Sequence, residues 1–310
     1  MDRADVGILE RLRRRLEENP WGVIMSFLTP VLIFYVLFTV YPVLRTFYNS
    51  FQIIRPNHPD EFIGLANYIE LLTNDSIFDK AVVNTFIWAA VAPVIDIVIG
   101  LVLATLLYTK IPFSRFFRIA WFSPVLISYV VVGVIWMWIY NYDWGVANTL
   151  LRALGLEDWA RVWLGHPDTA LWAVILVDAW KWAGFHMVVC LAALSSLPDE
   201  VMEAAELDNC GWFAKLIFIM VPMIRSTIVN LLILSFIGKM KVFDLVWIMT
   251  KGGPLWSTET LSTYVYKRAF EWSTFDLGYP SAVAVVSFVL VLSLVLLFSW
   301  LFRQRQKLEF

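Results

Sequence analysis

The chain carries little charge and almost no cysteine for its length. Of its 310 residues, 16% are charged and two are cysteines, whereas soluble domains are about one quarter charged. The formal net charge of −2 leaves no basic excess to neutralise phosphates, which argues against a nucleic-acid partner. Cys190 lies in an apolar run and Cys210 in a polar loop, so they do not form a disulfide framework. We expect both to be unreactive small side chains.

Motifs for catalysis, metal binding and nucleotide binding are also missing from the sequence. No cluster of His, Cys and Asp has the spacing of metal ligands, and no nucleophile–base arrangement is suggested. Glycine adjoins lysine at Gly238-Lys239 and in Lys251-Gly252-Gly253-Pro254, but neither segment has the spacing that holds phosphates. We therefore expect a protein that is not an enzyme and has no catalytic residues, metal or cofactor of its own.

Hydrophobic residues are abundant, at 60% of the chain, and they form long runs. A helix needs about 20 mainly apolar residues to cross the hydrocarbon layer. The sequence therefore predicts an all-α polytopic membrane protein with a basic segment 1–22, a six-helix transmembrane domain 23–302 and a tail 303–310. The predicted spans are Val23–Tyr41, Ala81–Tyr108, Ile119–Tyr140, Ala170–Leu194, Met223–Met249 and Pro280–Phe302.

The distribution of Lys and Arg predicts the orientation of these spans. With six spans, both termini lie on one side of the membrane, together with loops 109–118 and 195–222. This side carries more Lys and Arg than the longer loops opposite. Positive charge is retained in the cytoplasm, so we expect both termini to be cytoplasmic.

The loop between predicted spans four and five has the pattern of two short helices. Pro198 suits the first turn of a helix, and Asp199 complements the positive end of its dipole. Ala204 and Ala205 belong to a face of small residues at helical spacing. Asn209 can adopt the left-handed conformation that ends such a helix. We expect the first helix to present its small residues to a partner.

This loop, about 197–222, resembles the coupling motif of bacterial ABC importer permeases. The resemblance lies in Glu203-Ala204-Ala205, Leu207-Asp208 and Ile219-Met220-Val221-Pro222. In that family the loop docks into a cleft of the cytoplasmic ATPase subunit. The family usually has Gly-Ala after the aspartate, where this chain has Asn209-Cys210. The resemblance assigns ATPase coupling to six residues: Glu203, Ala204, Ala205, Asp208, Asn209 and Gly211.

Further segments, in the family order, resemble the maltose-type branch that imports oligosaccharides. They are Phe62-Ile63-Gly64-Leu65, Asn67-Tyr68, Asn84-Thr85, Trp182-Ala183-Gly184-Phe185, Val242-Phe243-Asp244-Leu245, Met249-Thr250-Lys251-Gly252-Gly253-Pro254, Thr260-Leu261 and Tyr264. The resemblance implies a type I importer permease core in the bacterial inner membrane, forming half of a translocation path for a sugar. It also implies a second homologous permease chain, two ATPase subunits that bind ATP and Mg, and an extracytoplasmic solute-binding protein. A secondary carrier, working as a dimer of six-span chains, is the alternative, although the internal repeat typical of such carriers is not evident.

Several ionisable residues lie at membrane depth, where charge is costly and often functional. Two pairs are spaced three residues apart and could neutralise each other: Asp178 with Lys181, and Lys241 with Asp244. Lys239 has no such neighbour on its helix. Three explanations remain open: an acidic partner such as Asp96, Asp178 or a residue of the second permease, a water-filled cavity, or an anionic saccharide whose carboxylate Lys239 contacts.

The resemblance also places the sugar path along predicted spans four and five. By position it implicates seven residues: Trp180, Gly184, Met187, Ser235, Gly238, Lys239 and Val242. Trp180, Trp182 and Phe185 could supply aromatic faces for sugar rings, and His186 could donate to a hydroxyl. The alternatives are aromatic packing within the bundle and a histidine satisfied internally.

Overall fold

The structure, a computed structural model, describes residues 20–55, 59–109, 111–272 and 276–306, and most of them are helical. The predicted all-α class is confirmed. Several parts of the chain lie outside the described residues. They include most of the basic segment 1–22, Lys110 and the end of the tail 303–310. The last helix continues into that tail as far as Gln306, beyond the predicted end of the span at Phe302.

The helices are joined by short turns and one small β-hairpin. In chain order the helices are α1 (Pro20–Tyr35), α2 (Tyr41–Asn49), α3 (Ala66–Thr73), α4 (Ser76–Tyr108), α5 (Ser114–Leu126), α6 (Tyr129–Ile139), α7 (Val146–Ala153), α8 (Pro167–Leu194), α9 (Asp199–Leu207), α10 (Trp212–Ala214), α11 (Val221–Met223), α12 (Arg225–Lys239), α13 (Asp244–Met249), α14 (Leu261–Tyr266) and α15 (Gly278–Gln306). Single π-helical turns occur at Val36–Val40, Lys215–Met220 and Lys267–Glu271, and a 3₁₀ turn at Glu157–Trp159. Strands β1 (Gln52–Ile53) and β2 (Glu61–Phe62) pair antiparallel.

Four helical segments of the described chain are long and apolar enough to cross a membrane: Ile24–Asn49, α4, α8 and Gly278–Leu297. Two further spans are bent helix pairs. Helices α5 and α6 meet at 105°, and Trp212–Met223 meets α12 at 75°. Counting each pair as one span gives the predicted six. Predicted span three, Ile119–Tyr140, is divided where α6 begins at Tyr129, and predicted span five, Met223–Met249, is divided where α12 ends at Lys239.

The bend between α5 and α6 is stabilised by a lysine from α8. Lys181 Nζ donates to the carbonyl oxygens of Pro124 at 2.9 Å, Val125 at 3.2 Å and Ile127 at 2.6 Å. Carbonyls at the end of a helix have no partner within it, so an ammonium is well placed to satisfy them. The described ion pairs do not include Lys181 with Asp178, which their spacing had suggested.

Helices α4 and α8 lie at the centre of the bundle and approach their neighbours closely at glycine. A Cβ atom at Gly184 would lie 2.0 Å from the carbonyl oxygen of Trp121 on α5. A Cβ atom at Gly100 on α4 would lie 2.5 Å from His186 Cβ on α8. Met187 is fully buried in the apolar cluster between the same helices. This close packing fixes the position of α8, on which much of the site is built.

A polar cluster ties α4, α14 and α15 together at one end of the bundle. Asp75 caps α4 through the backbone N–H of Phe78 at 2.9 Å. Its carboxylate also accepts hydrogen bonds from Tyr264, Tyr279 and Arg268. Burial alone would raise the pKa of Asp75, but the two tyrosine hydrogen bonds lead the interactions that hold this pKa below its ordinary value. The cluster therefore anchors these helix ends through an ionised carboxylate.

Candidate functional site

A buried ion-pair network joins three helices of the bundle. Lys239 Nζ, at the end of α12, lies 2.5 Å from Asp178 Oδ2 on α8 and 2.9 Å from Asp96 Oδ2 on α4. Trp88 Nε1 donates to the same Asp178 oxygen at 3.1 Å. The ammonium also lies 5.6 Å from the centre of the Trp182 ring. Of the three explanations for Lys239, the structure shows the acidic partner, supplied by both aspartates of this chain.

This network constrains how the three helices pack. Lys239 is 7% exposed, Asp178 1% and Asp96 fully buried. A charge taken out of water is tolerated when an opposite charge neutralises it at hydrogen-bonding distance. Each residue comes from a different helix, so a rotation of any one helix would separate the charges. The network therefore fixes the rotation of α4, α8 and α12.

A second polar contact joins α8 to α12, about two turns from Asp178 on α8 and about one turn from Lys239 on α12. His186 Nδ1 lies 2.9 Å from the carbonyl oxygen of Trp182, which can only accept, so Nδ1 carries the proton. In the neutral tautomer, His186 Nε2 then accepts from the hydroxyl of Ser235, which lies 2.8 Å away. Both ring nitrogens are satisfied in the neutral tautomer. The histidine satisfied internally, which the sequence left as an alternative, is the arrangement found.

A cavity of about 420 Å³ lies between α8, α12 and the start of α13. Aromatic, aliphatic and polar residues all contribute to its lining. Trp182 Nε1 donates to the hydroxyl of Tyr129 at 2.7 Å, and the Trp182 and Phe185 rings meet edge to face. The lining residues are Tyr129, Asp178, Trp182, Phe185, His186, Leu234, Ser235, Gly238, Lys239, Lys241, Val242, Phe243, Asp244 and Leu245. Aromatic faces beside a few placed polar groups are typical of small-molecule sites.

Four of the seven residues predicted for the sugar path line this cavity: Ser235, Gly238, Lys239 and Val242. The other three do not. Trp180 packs edge to face on Trp136 of α6, with ring centres 5.4 Å apart. Gly184 contacts the α5 backbone and Met187 lies in the apolar core, because these positions face other sides of α8.

The lining residues that were not assigned to the path from the sequence include Tyr129, Phe243 and Asp244. Tyr129 reaches the cavity because α6 starts there after the sharp bend, which no sequence pattern placed. Phe243 and Asp244 belong to a segment noted for its family likeness, and that likeness was the available signal. The described residues show no ion pair between Asp244 and Lys241, because the chain leaves helical geometry between α12 and α13.

The segment predicted to couple to an ATPase is a surface helix. Asn209 has a φ of 51°, which confirms the predicted left-handed conformation after α9. Glu203, Ala204, Asp208, Asn209 and Gly211 are exposed, and Leu207 is 85% exposed. Ala205 is only 5% exposed and packs within this chain. The expectation that Ala205 is presented to a partner therefore fails for the isolated chain, whereas Ala204 remains accessible.

Comparison with known proteins places the chain among transport components. Residues 96–307 match the family described as the binding-protein-dependent transport system inner membrane component. A sulfoquinovosyl glycerol transport permease of Agrobacterium fabrum is 34% identical, over 94% of this chain and 93% of that protein. A lactose transport permease of Rhizobium radiobacter is 32% identical, over 92% and 93% respectively.

The fold is also found in a solved structure. A chain of a bacterial ABC transporter that imports the acidic polysaccharide alginate superposes with a TM-score of 0.78 at 22% identity. The match covers 95% of this chain and 99% of that one. At this identity the likeness establishes the fold alone. Together with the sequence matches, it favours an importer permease over the secondary carrier that the sequence left as an alternative.

Removal of the Lys239 charge tests the buried network. The variant Lys239→Met keeps the bulk but leaves two buried carboxylates, which we expect to destabilise the protein by about 3–5 kcal/mol. The measurement is thermal unfolding of the purified protein in detergent. Lys241→Met, at an exposed position without a described ion pair, is the control and should unfold like the wild type.

A triple variant with Lys239→Met, Asp96→Asn and Asp178→Asn removes all three charges and should recover much of the lost stability. Wild-type stability in the single Lys239→Met variant would contradict the role given to the network.

Proposed function

The chain belongs to the family of binding-protein-dependent transport system inner membrane components, and we propose that its cavity is half of a saccharide path. As a family member it is a transmembrane permease subunit of an ATP-driven importer and not an enzyme. The single observation that carries the saccharide proposal is the cavity between α8 and α12, which is lined by both aromatic rings and polar groups. Such rings pack against the faces of sugars while polar groups hold the hydroxyls.

The relatives support a sugar as the cargo. The permeases from A. fabrum and R. radiobacter are named for sulfoquinovosyl glycerol and lactose, and both match along nearly the whole chain. Four residues assigned to the path from the sequence lie at the cavity, and Trp182 and Phe185 supply the aromatic faces expected there. The proposal places the sugar against these two rings.

The remaining parts of the transporter belong to other chains. We propose a second homologous permease beside the cavity, an extracytoplasmic binding protein that delivers the sugar, and two ATPase subunits that carry ATP and Mg. This chain then needs no cofactor of its own. Exposed α9 and the residues after it, through Gly211, would contact the ATPase. The proposal places this chain in the bacterial inner membrane, with both termini and α9 on the cytoplasmic side.

Loss of an aromatic face tests the saccharide path. The assay is ATP-driven uptake of maltotriose, galactotriose and trigalacturonate into proteoliposomes that hold the complete transporter. For whichever sugar is imported, Phe185→Ala should reduce uptake about fivefold, because an aromatic contact is worth about 1 kcal/mol beyond its buried area. Trp172→Ala, on the same helix but away from the cavity, should leave uptake intact. Accumulation of none of these sugars, or full uptake by the Phe185 variant, would refute the path.

Added bulk on α9 tests the coupling role. Ala204→Trp should lower ATP hydrolysis stimulated by the loaded binding protein about tenfold, since overpacking a tight contact costs about 1–3 kcal/mol. Ala205→Trp is unsuitable, because this side chain packs within its own chain. Leu154→Trp adds bulk at an exposed site in the loop between α7 and α8 and is the control. Normal stimulation in the Ala204 variant would argue against docking at α9.

Cysteine labelling tests the orientation. In a background with Cys190→Ala and Cys210→Ala, an impermeant thiol reagent added to intact cells should modify Leu154→Cys. It should modify Leu207→Cys only after the membrane is opened. Both side chains are largely exposed, at 72% and 85%, so access depends on the side of the membrane. The reverse pattern would invert the proposed topology.

A further inference from the structure

An apolar stripe is exposed on α7, the short helix between the third and fourth spans. Val146 and Leu150 of α7 and Leu154 directly after it recur every four residues, as on one face of a helix, and each is more than half exposed. Trp144, just before α7, and Trp159, in the turn after it, are also more than half exposed. Large apolar side chains left uncovered in a group mark contact with a membrane or with another protein.

The polar side chains of α7 are turned toward the protein. Arg152, the one charged residue of this helix, donates to the carbonyl oxygens of Tyr142 at 2.8 Å and Asp143 at 3.0 Å. Its guanidinium also lies 5.1 Å from the centre of the Tyr142 ring. Asn148 is fully buried and accepts a hydrogen bond from Trp163 Nε1 at 2.8 Å. These contacts hold α7 on the protein and leave its opposite face apolar and without charge.

The same contacts place α7 at the level where two spans end. Tyr140, directly after α6, donates to the carbonyl oxygen of Ala173 on α8 at 3.1 Å. The ring of Trp163 packs on Tyr140, with ring centres 6.0 Å apart, and Trp163 in turn holds Asn148 of α7. Trp138, near the end of α6, is mostly exposed, so the apolar outer surface of α6 extends to the end of the span. The stripe therefore lies close to the boundary between hydrocarbon and headgroups, at the opposite end of α8 from α9.

Lipid fits this stripe better than a protein partner does. Tryptophan is enriched at the membrane–water interface, where its ring is apolar and its N–H can meet water. The surface that binds a separable protein is about as polar as any other surface and carries many hydrogen bonds, whereas the stripe consists of aliphatic side chains flanked by tryptophan. Segment 141–166 has three acidic and two basic residues. It therefore has no positive excess to attract anionic headgroups.

We propose that α7 is an interfacial anchor, whose stripe lies with Trp144 and Trp159 in the headgroup layer of zwitterionic lipid and fixes the level of α6 and α8 in the bilayer. Because α6 begins at Tyr129, which lines the cavity, the anchor also affects the position of one wall of the site. The headgroup layer is polar, so a thiol at Leu154, at the end of the stripe, stays within reach of a polar reagent. The proposal concerns a lipid contact and holds for any solute that the cavity carries.

The test measures how close α7 lies to lipid in the assembled transporter. In the background with Cys190→Ala and Cys210→Ala, a fluorophore is attached at Leu150→Cys, and the complex is placed in phosphatidylcholine nanodiscs. Some of the lipid carries a nitroxide quencher near the carbonyl end of its acyl chain. Asp168→Cys, an exposed position in the first turn of α8 at the same end of the bundle, is the matched control. We expect quenching at Leu150 at least about threefold stronger than at Asp168, because the apolar face of an interfacial helix lies about 5–10 Å below the surface.

A double variant tests the anchoring role of the two tryptophans. Trp144→Ala with Trp159→Ala should reduce the quenching at Leu150 to about half or less, because aromatic side chains hold a segment at the interface. Phe113→Ala with Phe116→Ala removes two exposed rings at the start of α5, at the opposite end of the bundle, and should not change the quenching. Assembly of each variant is checked by co-purification with the ATPase.

Each part of the proposal has an outcome that overturns it. Equal quenching at Leu150 and Asp168 would refute the lipid contact. A Leu150 probe that lipid does not quench, but whose emission shifts when the loaded binding protein is added, would assign the stripe to a protein partner instead. Replacing part of the phosphatidylcholine by anionic phosphatidylglycerol should leave the quenching unchanged, and a marked increase would overturn the choice of zwitterionic lipid. An assembled tryptophan double variant with full quenching would refute the anchoring role of Trp144 and Trp159, and if that variant fails to assemble, the comparison of Leu150 with Asp168 still decides the lipid contact.

Discussion

The ammonium of Lys239 can remain inside the helix bundle because two carboxylates meet it there. Removing charges from water is costly, and only close opposite charges offset the penalty. Asp96, Asp178 and Lys239 come from α4, α8 and α12, so the contact sets how these helices are rotated. The cavity lies against this contact, and two of the three residues line it. The shape of the site thus depends on neutralising one buried charge.

The same physical constraint explains the bend between α5 and α6. A broken helix exposes carbonyl oxygens, and no water is present within a bilayer to satisfy them. Lys181 supplies three hydrogen bonds to these oxygens and allows the chain to turn by 105°. The turn brings Tyr129 to the cavity, where it accepts a hydrogen bond from Trp182. Two lysines that the sequence presents as costly exceptions therefore hold the architecture of the site.

Sequence reasoning predicted the elements more reliably than the partners of their side chains. The spacing rule for helical ion pairs failed for Asp178 with Lys181, because each found a partner on another element. It failed for Lys241 with Asp244, because the chain between α12 and α13 is not helical. The left-handed conformation of Asn209 was predicted correctly, since it depends on local backbone preference. Gly184 and Met187 were assigned to the path from their neighbourhood on α8, and neither lies at the cavity.

The sequence by itself determined that this is a helical membrane protein, where its apolar runs lie, and which loop resembles a coupling motif. The first two properties follow from local composition and periodicity, and the third from likeness to a known family's motif; none depends on contacts between distant residues. Only the tertiary structure decided which face of α8 meets the cavity, that Ala205 is covered while Ala204 is accessible, and that Lys239 is paired with Asp96 and Asp178. Those contacts join residues up to 143 positions apart along the chain, from Asp96 to Lys239, and only helix packing brings them together.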